Sequence, residues 1–281
     1  MPQNARIRIP VLRTLVGAVA LAAGVECAFG AESPGPAFNP LPECSARARS
    51  ETPYSTHGLH GSGDAPNALS PEEHKEGWRL LFDGKTLEGW SGFQREDVPP
   101  VWRVRDGALV LAKLAGDTPG PDRGDLRTVD VFENFELRLQ WAVAPGGNSG
   151  VFFFVREGVD QRIWRAAPEV QVLDDPRHRD GLLESHRAGA LYDIYPPTCN
   201  ALKPPGEYND QRLIVRNGRV EHWLNGYRVV QYELDSDDFK ARLARSKFQD
   251  APYFAKQRRG HLALQDHGDE IRFRSIRVRE L

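Results

Sequence analysis

Two Asn-Gly pairs constrain this chain more than any other feature. Asn217-Gly218 separates residues 212–216 from 219–224, and Asn225-Gly226 separates that second run from 227–232. The central residues of a type I′ turn both need positive φ, which Asn and Gly tolerate, so the three runs are expected to form an antiparallel meander. Asp106-Gly107, between 102–105 and 108–111, predicts another hairpin. Residues 135–141 alternate apolar and polar, 151–155 are continuously apolar, and 271–278 alternate again. Many short strands joined by tight turns imply two antiparallel sheets packed face to face. Helix signals are few. Ser70-Pro71-Glu72-Glu73 supplies an N-cap, a first-turn Pro and two acids, and 236–248 carries Phe239, Leu243 and Phe248 as an apolar stripe.

The ends of the chain differ in character. Residues 1–30 read as a secretory signal, with Arg6, Arg8 and Arg13 ahead of the uncharged stretch 14–25 and small residues at Ala28 and Gly30. That stretch has 12 residues, short of the roughly 20 that span a bilayer as a helix, so export to a periplasmic or extracellular setting is expected and a membrane span is not. Residues 31–69 are rich in Pro, Gly, Ser and Ala and read as a flexible linker. The folded domain is expected over 70–281. Lys+Arg number 37 against 39 Asp+Glu, a net charge of -2, and losing three Arg and one Glu with the signal makes it more acidic. Such a balance offers no counterion-release drive toward nucleic acid. Removal of Cys27 leaves Cys44 and Cys199, which in an oxidising compartment either form one disulfide or stay as two thiols.

Candidate chemistry clusters in two places. In Glu169-Val170-Gln171-Val172-Leu173-Asp174 a strand puts Glu169 and Gln171 on one face, and a bulge near Leu173 would rotate Asp174 back toward them. The spacing resembles the Glu-x-Asp-x-x-Glu strand of jelly-roll glucanases, with Gln171 in place of the middle acid. Two carboxylates suit acid/base or nucleophilic work at an anomeric carbon; the plainer alternative is an exposed strand with solvated acids. In Leu264-Gln265-Asp266-His267-Gly268, Gln265 and His267 share a face, and Asp266 either joins them or holds a turn with Gly268. Asn148-Ser149-Gly150 is a turn and strand entry, or an amide reaching a sugar hydroxyl. His222, between Val220 and Leu224, reads as a hydrogen-bonded core residue. Trp223, facing the other way, is either core or a stacking platform for a sugar ring. His178 and His186 fall in a polar loop, as solvated residues or lid groups. Arg274 faces solvent or pairs with a cleft carboxylate. No Walker loop, GxGxxG, GxSxG or HExxH occurs. A divalent metal held by Glu169, Asp174 and a His is allowed by ligand type, although no ligand spacing asks for it.

Taken in order, several short blocks resemble the secreted 3-keto-disaccharide hydrolase family. They begin with Gly77-Trp78-Arg79-Leu80-Leu81-Phe82-Asp83-Gly84 and continue through Asn148-Ser149-Gly150, the Glu169 to Asp174 block, Gly189-Ala190-Leu191-Tyr192 and Gly206-Glu207-Tyr208-Asn209. Glu221-His222-Trp223-Leu224-Asn225-Gly226 and Leu264-Gln265-Asp266-His267-Gly268 follow. Tyr208 departs from the family's more frequent Trp, and the basic stretch around 241–259 reads as an insertion that reshapes a cleft wall. The resemblance implies an all-β, concanavalin A-like jelly-roll sandwich with one or two short helices, acting on glycosides already oxidised to a ketone at carbon 3. It implies elimination of the aglycone next to the ketone, with or without later hydration. His267 or Glu169 is then the expected base and Asp174 or His178 its acid partner. Asn148, Gln171, Tyr192, Gln265, Trp223 and Arg274 are candidates for substrate binding, and a divalent ion polarising the carbonyl is a further candidate. A conventional carboxylate-pair glycosidase and a non-catalytic carbohydrate-binding module are the competing readings.

Overall fold

A computed structural model describes residues 37–45, 66–112 and 120–281. The stretch read as a secretory signal and most of the stretch read as a linker lie outside them. Among the described residues there are thirteen strands: β1 (Arg79–Leu80), β2 (Trp90–Gly92), β3 (Trp102–Arg105), β4 (Ala108–Leu111), β5 (Leu126–Thr128), β6 (Phe135–Val143), β7 (Asn148–Val155), β8 (Glu169–Leu173), β9 (Asn209–Arg216), β10 (Arg219–Leu224), β11 (Tyr227–Glu233), β12 (His261–Leu264) and β13 (Ile271–Glu280). The larger sheet runs β11-β10-β9-β6-β13-β4-β3, with β1 also on β13; the smaller runs β2-β5-β12-β7-β8. All of these pairings are antiparallel. The architecture is the expected jelly-roll sandwich.

Local chemistry sets the elements. Asp106, Asn217 and Asn225 take φ of 52°, 50° and 49°, each followed by a glycine at positive φ, as type I′ turns require. Helix α1 (Pro71–Lys75) starts in a capping box: Ser70 Oγ accepts from Glu73 N–H and the Glu73 carboxylate accepts from Ser70 N–H. Helix α2 (Asp237–Leu243) is capped by Ser236 but ends sooner than the apolar stripe suggested, because turns follow Ala244 and carry Lys247 and Phe248 out of helical register. Asn148-Ser149-Gly150, read as a turn and strand entry, opens β7 and is already paired with β8, with Asn148 opposite Leu173 and Gly150 opposite Gln171.

Leu137, Leu139, Leu213, Val215 and Phe273 of the larger sheet and Val151, Val170, Val172, Leu262 and Leu264 of the smaller join one buried cluster. A bulge in β7, where Phe152 to Val155 face only Ala263 to His261, places Phe154 at φ 57°. Phe153 and Phe154 then both enter that cluster, while Phe152 belongs to a second one with Ala263, Ile163 and Ala167. The smaller sheet thus carries an apolar floor on its outer face, and the site is built over it.

Residues 37–45, within the stretch read as a linker, are tied to the domain. Cys44 is disulfide-bonded to Cys199 across 155 residues of sequence. Cys44 N–H donates to Asn200 O and Asn200 N–H to Pro42 O. Arg187 donates to Asn39 O at 2.8 Å and lies over the Phe38 ring. Replacing both cysteines by serine is expected to cost about 2–4 kcal/mol, read as a lower Tm under non-reducing conditions. An unchanged Tm contradicts that.

Candidate active site

Alternation puts Asn148 and Gly150 of β7 and Glu169 and Gln171 of β8 on the outer face of the smaller sheet, and Gln265 and His267 follow the end of β12. Trp164, Asp180, Tyr192 and Lys247 complete a cavity of about 140 Å³ over them. His267 also borders a wider, polar cleft of about 780 Å³ lined by Arg123, Asp125, His178, Arg179, Asp266 and Asp269. A one-ring compartment therefore meets a broader one at the imidazole.

Glu169 is 5% exposed. Burial pushes its carboxyl up to about 8, helped by Asp125 and Asp180 and opposed by Lys247, so the group is mainly neutral at pH 7. The space it fills exists because residue 150 is glycine: a Cβ there would lie 2.1 Å from Glu169 Oε1. Ser149 O, which can only accept, orients the Gln171 amide with its nitrogen 3.2 Å from that carbonyl and 3.1 Å from Glu169 Oε1. The Gln171 amide lies 3.3 Å from that of Asn148, which in turn is 3.4 Å from His267 Nε2. Run in this sense, the line gives the Asn148 nitrogen to Gln171, has Nε2–H of His267 donate to Asn148, and leaves the imidazole lone pair on Nδ1.

His267 is exposed to the clefts, and partial desolvation with a contribution from His178 lowers its pKa against the upward pull of Asp269. It is therefore a free base at neutral pH, with Asp269 Oδ2 3.9 Å from Nδ1 to stabilise the imidazolium. His178 stands edge-on to it at 6.1 Å between ring centroids. Asp180 N–H donates to His178 Nδ1 at 3.1 Å, so the proton of the neutral ring is on Nε2, a donor. Tyr192 O–H donates to Asp180 Oδ2 at 3.0 Å, and burial together with that carboxylate raises its pKa. Burial pushes Asp125 up to about 7. Asp266 holds the neighbouring turn, accepting from Gly268 N–H, Gly124 N–H and the Arg123 guanidinium.

The structure brings Asn148, Gln171, Glu169, Tyr192, Gln265 and His267 together, with His178 alongside. It does not bring Asp174, Trp223 or Arg274. No bulge interrupts the β7–β8 pairing, so Asp174 is not rotated back; its carboxylate accepts from Gly146 N–H at 2.7 Å and faces Arg177. Trp223 is buried on the larger sheet beneath Arg212 and Arg228, with Nε1–H donating to Glu221. Arg274 lies over the Tyr208 ring at 3.6 Å and donates to Gln140. His222 is the core residue its strand position suggested, 0% exposed, between Gly189 O and Tyr232 O–H and lowered to about 4 by burial. His186 stacks on Tyr192 at 4.2 Å and pairs with Asp193, outside the cavity lining. With Asp174 turned away, the metal set of Glu169, Asp174 and a His does not converge. Among the described residues no three His, Cys, Asp or Glu side chains are grouped to hold an ion.

Trp164, Asp180 and Lys247 are site residues that the sequence patterns did not reveal. From the basic stretch 241–259, Lys247 lines the narrow cavity. No helix among the described residues is long and apolar enough to cross a membrane.

Residues 77–279 match the 3-keto-alpha-glucoside-1,2-lyase-like domain. A 3-keto-disaccharide hydrolase of Bacteroides thetaiotaomicron is 35% identical over 229 residues, 73% of this chain and 79% of that protein. A crystal structure of a candidate glycosyl hydrolase from Parabacteroides distasonis is 32% identical with a TM-score of 0.71, covering 77% of this chain and 100% of that one. A second candidate glycosyl hydrolase of that organism is 28% identical with a TM-score of 0.56, over 73% and 99%. By the match over most of its folded domain, this chain belongs to the 3-keto-alpha-glucoside-1,2-lyase-like family.

Proposed function

We propose that the protein is an exported enzyme that cleaves 3-keto-glycosides by elimination, with water then adding to the unsaturated sugar. The observation that carries this reading is the position of His267, a neutral imidazole where the narrow cavity meets the wide cleft, opposite a carboxyl held uncharged. A sugar ring in the narrow cavity and its aglycone in the wide one put carbons 1 and 2 beside that ring. Its partner is then a carbohydrate substrate, an oxidised glycoside, and the disulfide supports the exported setting.

The chemistry follows from the ketone, which acidifies the proton on carbon 2. His267 takes that proton, and the C–H electron pair forms the C2–C3 double bond of an enolate with its charge on the ketone oxygen. The enolate collapses to a C1–C2 double bond as the C1–O bond breaks, and its electrons leave on the aglycone oxygen. The imidazolium returns the proton to that oxygen, while His178 Nε2–H donates a hydrogen bond to it. A base so placed contributes about 10²–10⁴-fold. Neutral Glu169, Gln265 and Asn148 bind ring oxygens, and a charged Glu169 would oppose the enolate. A carboxylate-pair glycosidase would instead need a free ionised carboxylate facing neutral Glu169, whereas the other carboxylate of the cavity, Asp180, is engaged by the Tyr192 hydroxyl.

Aglycone release is expected from a 3-keto-glucoside and not from its unoxidised parent, followed by chromatography; release from the parent alone contradicts the reading. The pH profile should fall below pH 6.5, as His267 is protonated, and above about 8, as Glu169 ionises. In E169Q the upper limb should disappear while turnover at pH 7 stays within about tenfold. An unchanged upper limb, or a loss of a thousandfold or more at pH 7, contradicts the role given to Glu169.

A further inference from the structure

Two polar groups of the narrow cavity lack the partner their chemistry calls for. Lys247 is an exposed residue whose ammonium lies 4.0 Å from the centroid of the Tyr192 ring and 5.0 Å from those of Trp164 and Phe248. Aromatic faces hold a cation but offer no lone pair, and among the described residues no carboxylate lies within ion-pairing distance of Nζ. Its backbone is fixed: Lys247 N–H donates to Asp193 Oδ2, and Phe248 is buried in a parallel stack on Phe254. The second group is Gln265 Oε1, a buried acceptor without a donor. The cavity thus presents one cationic donor waiting for an acceptor and one acceptor waiting for a donor.

We propose that Lys247 is the residue that receives the ketone: its ammonium hydrogen-bonds the carbon 3 oxygen and carries the charge gathering there as carbon 2 is deprotonated, while Gln265 Oε1 accepts from a neighbouring ring hydroxyl. The substrate class is a pyranoside with an acceptor-only oxygen at carbon 3 and a free hydroxyl beside it. This rests on the keto-glycoside reading above.

The electrostatics agree with the placement. Partial burial lowers the Lys247 pKa, against the upward pull of Glu169, Asp193 and Asp180. With the ammonium held over the Tyr192, Trp164 and Phe248 rings and no carboxylate of the described residues at ion-pairing distance, the cation is not consumed by a standing ion pair. Its strongest interaction is then reserved for the enolate, where a preorganised donor acts most on rate. A seated sugar would also cover the amine and strengthen that interaction by excluding water. Lys247 forms no covalent bond in this scheme, and the proton still passes from carbon 2 to His267.

The test compares wild type, K247M and K247R on 4-nitrophenyl 3-keto-glucosides of both anomers, reading kcat and KM from nitrophenolate release and carbon 2 exchange from deuterium uptake. K247M is expected to lose about 10²–10³-fold in kcat and in exchange, with KM within about fivefold, and K247R to recover at least about tenfold over K247M. A K247M kcat within about threefold of wild type, or a change confined to KM, overturns the inference. So does borohydride trapping of the sugar on Lys247, which would show a covalent imine. If K247M does not fold, K247R decides alone: it must retain KM while kcat falls. Wild type that releases nothing defeats the keto-glycoside reading and this inference with it, whereas an active wild type with an equally active K247M defeats only the inference.

Discussion

The site depends on the pairing of β7 with β8. That register sets Gly150 opposite Gln171 and Phe152 opposite Glu169, and so leaves an empty side-chain position beside the Glu169 carboxyl. Because side chains alternate with a period of two, a slip of one residue would send Glu169 and Gln171 into the aliphatic core and bring Val170 and Val172 to the cleft. The core forbids it. Val151, Val170 and Val172 pack against the larger sheet, so the same apolar burial that holds the sandwich together fixes which polar groups face the substrate.

Much of this was legible in the sequence, for a physical reason: turn chemistry and strand alternation are local. The Asn-Gly and Asp-Gly turns, the meander and the shared face of Glu169 and Gln171 follow from φ preference and from period two. Asp174 was misplaced because bulges have no local signature; the bulge of the smaller sheet is in β7 at Phe154, where two consecutive phenylalanines enter the core. Trp223 and Arg274 illustrate another limit. Alternation says that two residues oppose each other, but only the topology says that both belong to the sheet that does not carry the cleft. Lys247 was invisible for a third reason, since it leaves a short helix through turns whose direction is set by Asp193 and the buried Phe248. The pair of cysteines was legible only as a choice, and the fold made it.

The charges of the site are distributed rather than paired. Glu169 is held neutral by burial, His267 is held unprotonated where the two compartments meet, and the ammonium of Lys247 sits over aromatic rings instead of a carboxylate. In the proposed reaction each gains an interaction as negative charge develops on the ketone. Such an arrangement suits proton abstraction beside a carbonyl better than displacement at an anomeric carbon, which wants two carboxylates in opposite protonation states.

The most direct test is the fate of the hydrogen on carbon 2. With a 3-keto-glucoside deuterated there and the protein in ordinary water, the account predicts that the label is lost from the sugar product and that release is slowed by a primary isotope effect. Cleavage at an undiminished rate with the deuterium retained on carbon 2 would contradict it.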